Sequence, residues 1–134
     1  MLVSELDSPA VVIDLDIVEA NIRRAQETLS AHGLKNRPHI KTHKIPALAK
    51  MQMDAGAIGI TCQKIGEVEV MADAGVAADI LLTYNIIGEA KTNRLVALIR
   101  RLKRMAVVVD NEVVARGLSE AGKRHGVDVR FLIE

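Results

Sequence analysis

From residue 37 onward, short apolar runs alternate with amphipathic stretches. Strand candidates begin near Arg37, Ala57, Asp79, Met105 and Val127. Each gap of about twenty to twenty-six residues has room for one helix, the spacing of βα units. The helices are predicted over 45–55, 65–74, 89–103 and 112–125, and Gly56, Gly75 and Gly126 close three of them. Ile80-Leu81-Leu82 and Ala106-Val107-Val108-Val109 are continuous apolar runs, which predicts parallel strands covered on both faces. Before this repeat, residues 10–13 read as one more short strand. Asp16, with Glu19 three residues on, is expected to cap a helix carrying Val18, Ile22, Ala25 and Leu29 at helical spacing and stopping at His32-Gly33. The pattern predicts an α/β protein with a parallel sheet; periodicity leaves open whether the sheet is an open doubly wound one or an arc of a closed barrel.

Composition narrows the function. The 134 residues are 49% hydrophobic and 26% charged, an ordinary globular balance sufficient for one domain. A net charge of +1 gives no electrostatic footprint for nucleic acid or an anionic membrane, and one Tyr, one Phe and no Trp leave little to stack bases on. The single Cys62 cannot form an intramolecular disulfide. The first seven residues lack a basic region or apolar core of signal-peptide type, and no run approaches a membrane span, so a cytoplasmic location is the default expectation.

The chemistry is expected in Arg37-Pro38-His39-Ile40-Lys41-Thr42-His43-Lys44. Pro38 excludes a helix interior and Ile40 and Thr42 favour extended backbone, so a short strand ending in a polar turn is predicted. Period-two alternation puts Arg37, His39, Lys41 and His43 on one face. A lysine held in an enclosed space beside other cations loses part of its preference for the charged form, and its neutral amine can attack a carbonyl to form a Schiff base.

This stretch resembles the lysine segment of the fold-type III pyridoxal-phosphate enzymes, in the D-threonine aldolase and D-serine dehydratase group of the alanine racemase superfamily. Ser8-Pro9-Ala10-Val11-Val12-Ile13-Asp14 is similar to that group's entry segment, and Gly59-Ile60-Thr61-Cys62-Gln63-Lys64 with Glu67 and Glu69 to its next strand and helix. The resemblance implies a partial (β/α)8 TIM-type barrel, about the first five strands of the N-terminal pyridoxal-phosphate domain over residues 1–134, with a C-terminal β domain absent. It implies pyridoxal 5'-phosphate held as an aldimine on Lys41, with His39, Gln63 and Tyr84 as further cofactor-binding residues. The substrate implied is a small D-amino acid. Retro-aldol cleavage of a D-3-hydroxy amino acid is favoured because Cys62-Gln63-Lys64 is closer to the aldolase branch than to the dehydratases. The alternatives are D-serine dehydration or racemisation on the same fold, or a non-catalytic cofactor carrier or inert fragment. A divalent metal, where the group uses one, is expected to have its ligands outside this chain.

Other features carry less. The polar residues after each apolar run, namely Lys41, Thr42 and His43, then Thr61, Cys62 and Gln63, then Thr83, Tyr84 and Asn85, then Asp110 and Asn111, form a ring of site candidates at the carboxyl ends of parallel strands. His39 and His43 have H-x-x-x-H spacing, which suits zinc only on a helix that Pro38 disfavours. Cys62 reads as a small buried residue, and Glu67 and Glu69, two apart on a helix, do not share a face. Neither a full dinucleotide fingerprint nor a P-loop is present. A barrel of this kind needs about 250 residues. The expectation is therefore a truncated chain whose unpaired strand edges favour oligomers or association.

Overall fold

A computed structural model describes residues 2–134. After one 3-10 turn, Val3–Glu5, the chain forms α1 (Leu15–Ala31), α2 (Pro46–Asp54), β1 (Ile60–Cys62), α3 (Ile65–Asp73), β2 (Asp79–Leu82), α4 (Glu89–Arg101), β3 (Arg104–Val109), α5 (Glu112–His125) and β4 (Arg130–Ile133). The four strands are all parallel and lie side by side in chain order. A parallel bridge between His39 and Thr61 adds the segment around residues 36–39 to the other edge of β1. There Ile58 N–H donates to the Asn36 carbonyl, Thr61 N–H to Pro38 and Ile40 N–H to Thr61.

Strand order therefore follows chain order without the reversal that marks a doubly wound sheet. Successive helices pack on one another, α3 on α4 and α4 on α5. Strands in sequence order with helices packed successively are the arrangement of an arc of a (β/α)8 barrel. Among the described residues no helix is long and apolar enough to cross a membrane.

Register sorts the strand residues onto two faces. Ile60, Ile80 and Met105 line up across successive strands, as do Cys62, Leu82 and Val107, and all six belong to the core beneath the helices. From the helices, Val68, Met71, Leu95, Leu98, Val114 and Leu118 fill the same core. Truncating one of these fully buried aliphatic side chains to alanine costs about 2–5 kcal/mol. On the opposite face run Thr61, Leu81, Ala106 and Arg130, with His39 bridged to Thr61. This second face is less covered: Leu81 and Ala106 are only partly buried, and β4 is exposed along its length. Burial of both strand faces is thus an overestimate within this chain.

The four later helices sit within two residues of the predicted bounds, because the glycine stops are real. Gly33, Gly56, Gly75 and Gly126 all take positive φ. The N-terminal part differs. Residues 10–13 form no strand, and Val11 to Ile13 are exposed, because nothing among the described residues pairs with them. The helix cap is Asp14, whose carboxylate accepts the Ile17 N–H at 3.2 Å, in place of the expected Asp16 and Glu19 box. Helix α1 buries no residue fully.

Candidate functional site

The extended backbone of the 37–44 stretch lasts only to His39. Residues 40–43 turn, closed by Lys44 N–H donating to the Ile40 carbonyl at 2.8 Å, and Lys44 takes the left-handed region with φ 55°. Ile40 anchors the turn; it is wholly buried in the core and its N–H is bound to Thr61. The expected alternation is therefore corrected: Arg37 and His39 belong to the pleated face, whereas Lys41 and His43 sit on a turn at the carboxyl end of the sheet. Lys41 is also exposed and not enclosed within this chain.

Hydrogen bonds fix the imidazoles. Lys41 N–H donates to His39 Nδ1 at 3.2 Å, so the neutral ring carries its proton on Nε2, which lies 3.5 Å from Thr83 Oγ1. The Thr83 hydroxyl donates to the Cys62 carbonyl at 3.3 Å. Burial, followed by the Lys41 charge, holds the His39 pKa below its ordinary value, and the Glu67 charge works against them. His43 Nδ1 accepts the Ile45 N–H at 3.0 Å, leaving a buried Nε2 without a partner.

Gln63 and Tyr84 are both exposed, and they line a separate cavity of about 570 Å³ with Lys64, Ile65, Ile86 and Lys91. The predicted cofactor residues thus fall into two groups, His39 with Lys41 and Gln63 with Tyr84, joined through the adjacent pairs Cys62-Gln63 and Thr83-Tyr84. Asn111 has a structural task, capping α5 by accepting the Val114 N–H at 3.0 Å. Cys62 is wholly buried and its thiol is pushed up to about 12 by burial and by Glu67, so it is no nucleophile near neutral pH.

Glu67 is the residue that sequence reasoning missed. It is 5% exposed, its Oε2 accepts the Gln63 N–H at 2.8 Å, and its Oε1 is buried without a partner. The four-residue step back from the first turn of α3 to the strand end was the available signal. Glu69, as expected, faces elsewhere and pairs with Arg94. Of the four buried side-chain polar atoms lacking partners among the described residues, three, on His43, Glu67 and Asn85, lie on the successive segments that follow the strands at this end of the sheet, His43 and Asn85 in connections and Glu67 in the first turn of α3. Orphaned donors and acceptors at the same end of the sheet as an exposed amine fit a polar cofactor bearing a carbonyl. Among the described residues no three of His, Cys, Asp and Glu come together as a metal site.

At the opposite end the polar groups satisfy one another. Arg37 makes a two-pronged ion pair with Asp79, 3.0 Å on each arm, and Arg104 reaches the same carboxylate at 3.7 Å. Gly59 makes room for it, since a Cβ there would collide with the Arg37 guanidinium and the Asp79 carbonyl.

Comparison with known proteins agrees with this layout. Residues 13–134 match the family model described as alanine racemase, N-terminal domain. The chain is 35% identical to 3-hydroxy-D-aspartate aldolase of Paracoccus denitrificans over 98% of its own length and 34% of that protein. It is 36% identical to D-threo-3-hydroxyaspartate dehydratase of Delftia sp. over 96% of its length and 33% of the relative. The crystal structure of D-threonine aldolase from Filomicrobium marinum superposes with a TM-score of 0.92 at 38% identity, covering 98% of this chain and 35% of that one. The chain spans about a third of the length of the curated relatives it matches. With the family model covering nearly all of it and the sheet running in barrel order, the chain belongs to the alanine racemase N-terminal-domain family.

Proposed function

We propose that this chain is the N-terminal, cofactor-carrying part of a pyridoxal-phosphate-dependent lyase acting on D-3-hydroxy amino acids, with Lys41 as the covalent attachment point. The observation that carries the reading is the turn at residues 40–44. It sets the exposed Lys41 amine at the carboxyl end of a parallel sheet, next to a neutral histidine whose Nδ1 accepts the Lys41 N–H. The relatives' activities, two aldolases and a dehydratase, support the substrate class.

Pyridoxal phosphate, when bound, supplies an electron-poor ring that stabilises negative charge at the substrate's α carbon. Lys41 holds the cofactor; His39, Gln63 and Tyr84 are the further residues proposed to contact it. His39 stays neutral beside the Lys41 charge and so adds no second cation at that point. Any divalent metal is proposed to be held outside this chain, and association through the exposed β4 edge is proposed for the isolated chain.

The reaction is tested on the whole protein with D-threonine and D-3-hydroxyaspartate. Retro-aldol cleavage releases glycine and an aldehyde, the expected result; β-elimination of water yields a 2-oxo acid and ammonia, and would assign the dehydratase reading. Covalent cofactor capture with neither product would leave a carrier and overturn the lyase.

A further inference from the structure

The links around His39 continue beyond the site, and they all point one way. Lys41 N–H donates to His39 Nδ1, His39 Nε2–H faces Thr83 Oγ1, and the Thr83 hydroxyl donates to the Cys62 carbonyl. That carbonyl also accepts the Thr83 N–H at 3.0 Å. It belongs to the same peptide group as the Gln63 N–H, which donates to Glu67 Oε2 at 2.8 Å. Donors and acceptors alternate without a break from the turn that bears the amine to a buried carboxylate. Chains of aligned hydrogen bonds polarise one another, and reversing one link forces a mismatch in the next.

We propose that Glu67 is a positioning residue of the Lys41 site. It terminates a directed hydrogen-bond relay, through the Cys62–Gln63 peptide and Thr83, that locks His39 in the Nε2–H form and so keeps Nδ1 available to hold the Lys41 turn. This rests on the cofactor reading only for the name of the site; the relay exists in the protein without any ligand. Burial and the bond to the Gln63 N–H hold the terminating carboxylate in place. Glu67 is 5% exposed and already uses one oxygen on backbone, so it is a fixed acceptor and not a mobile surface acid. Thr83 is the adjustable link, because its hydroxyl can accept from the ring while donating to the carbonyl. The Thr83–His39 contact, at 3.5 Å, is the longest step and the one a substitution exposes first.

The test is nitrogen-detected NMR of the His39 ring in the 15N-labelled, cofactor-free protein. It is applied to wild type, Thr83→Val, Thr83→Ser and Glu67→Gln, with circular dichroism confirming that each is folded. The wild-type ring is expected as the Nε2–H tautomer above its titration midpoint. Thr83→Val is expected to give a mixture of tautomers and Thr83→Ser to restore the wild-type pattern. Glu67→Gln keeps an amide oxygen for the Gln63 N–H but weakens the terminal acceptor, and is expected to raise the share of the Nδ1–H tautomer of His39.

A wild-type Nδ1–H tautomer overturns the relay without any variant, as does an unchanged tautomer in Thr83→Val or in Glu67→Gln. Because the readout needs no cofactor, its failure is separate from failure of Lys41 to capture one. A residue that merely packed would leave the tautomer unmoved.

Discussion

The two ends of the sheet are built from similar residues and treated oppositely. At the amino end, Arg37 and Asp79 satisfy one another beside Gly59, partly buried and joined by two short contacts, with the exposed Arg104 reaching the same carboxylate from outside. At the carboxyl end, Lys41 is exposed and His43, Glu67 and Asn85 each retain a buried polar atom without a partner. Leaving such an atom unpaired costs about 1–3 kcal/mol, so the second end is tolerated where binding returns the missing partners. Charge alone does not mark a site; unsatisfied charge and polarity do.

The sharpest way to break this contrast is Lys41→Ala. Covalent cofactor capture is expected to vanish and turnover of the whole protein to fall by about 10³-fold or more. Since the side chain is exposed, folding stability should change by no more than about 0.5 kcal/mol, read from urea midpoints. A large loss of stability would make the residue structural and remove the asymmetry between the ends.

Gly59→Ala attacks the other end. The new methyl group meets backbone as well as the Arg37 guanidinium, so a loss of about 1–3 kcal/mol is expected in chemical denaturation. Asp79→Ala leaves the Arg37 guanidinium without its two-pronged acceptor and is expected to cost a similar or slightly smaller amount, about 1–2 kcal/mol given the partial exposure of both partners. Neither change should alter which lysine captures cofactor.

The smallest expected effect is a pH slope. The folded-state pKa of His39 lies below the ordinary value of about 6.5. The unfolded chain therefore binds more protons there, and stability should fall as pH drops through about 6.5 toward the folded value. Comparing urea midpoints at pH 7.5 and 5.5 for wild type and His39→Asn checks this, and the variant is expected to lose that part of the slope.

Most of the fold was legible because its signals are local. Helix α5 runs from Glu112 to His125 as its periodicity and Gly126 require, and the apolar runs of β2 and β3 place the middle of the sheet. The failures are non-local. Residues 10–13 are apolar enough for a strand, yet a strand needs a neighbour, and none is present among the described residues. A turn was expected at the end of this stretch, but its start directly after His39 was illegible because the polar–apolar alternation continues through Thr42. What bends the chain is the Thr61 carbonyl holding Ile40 and a left-handed Lys44, a conformation no glycine advertises. His43, Thr83 and Asn85 were in the ring of strand-end candidates. Glu67 entered as part of the family-like helix start and as a partner for Glu69 but with no role at the site, and burial, which sequence does not display, is what sets it apart.

The account stands or falls on the amine at position 41. Incubating the protein with pyridoxal phosphate, reducing with borohydride and mapping the tryptic peptides measures it directly. The account predicts a phosphopyridoxyl group on Lys41 alone; a label on another lysine, or on none, contradicts it.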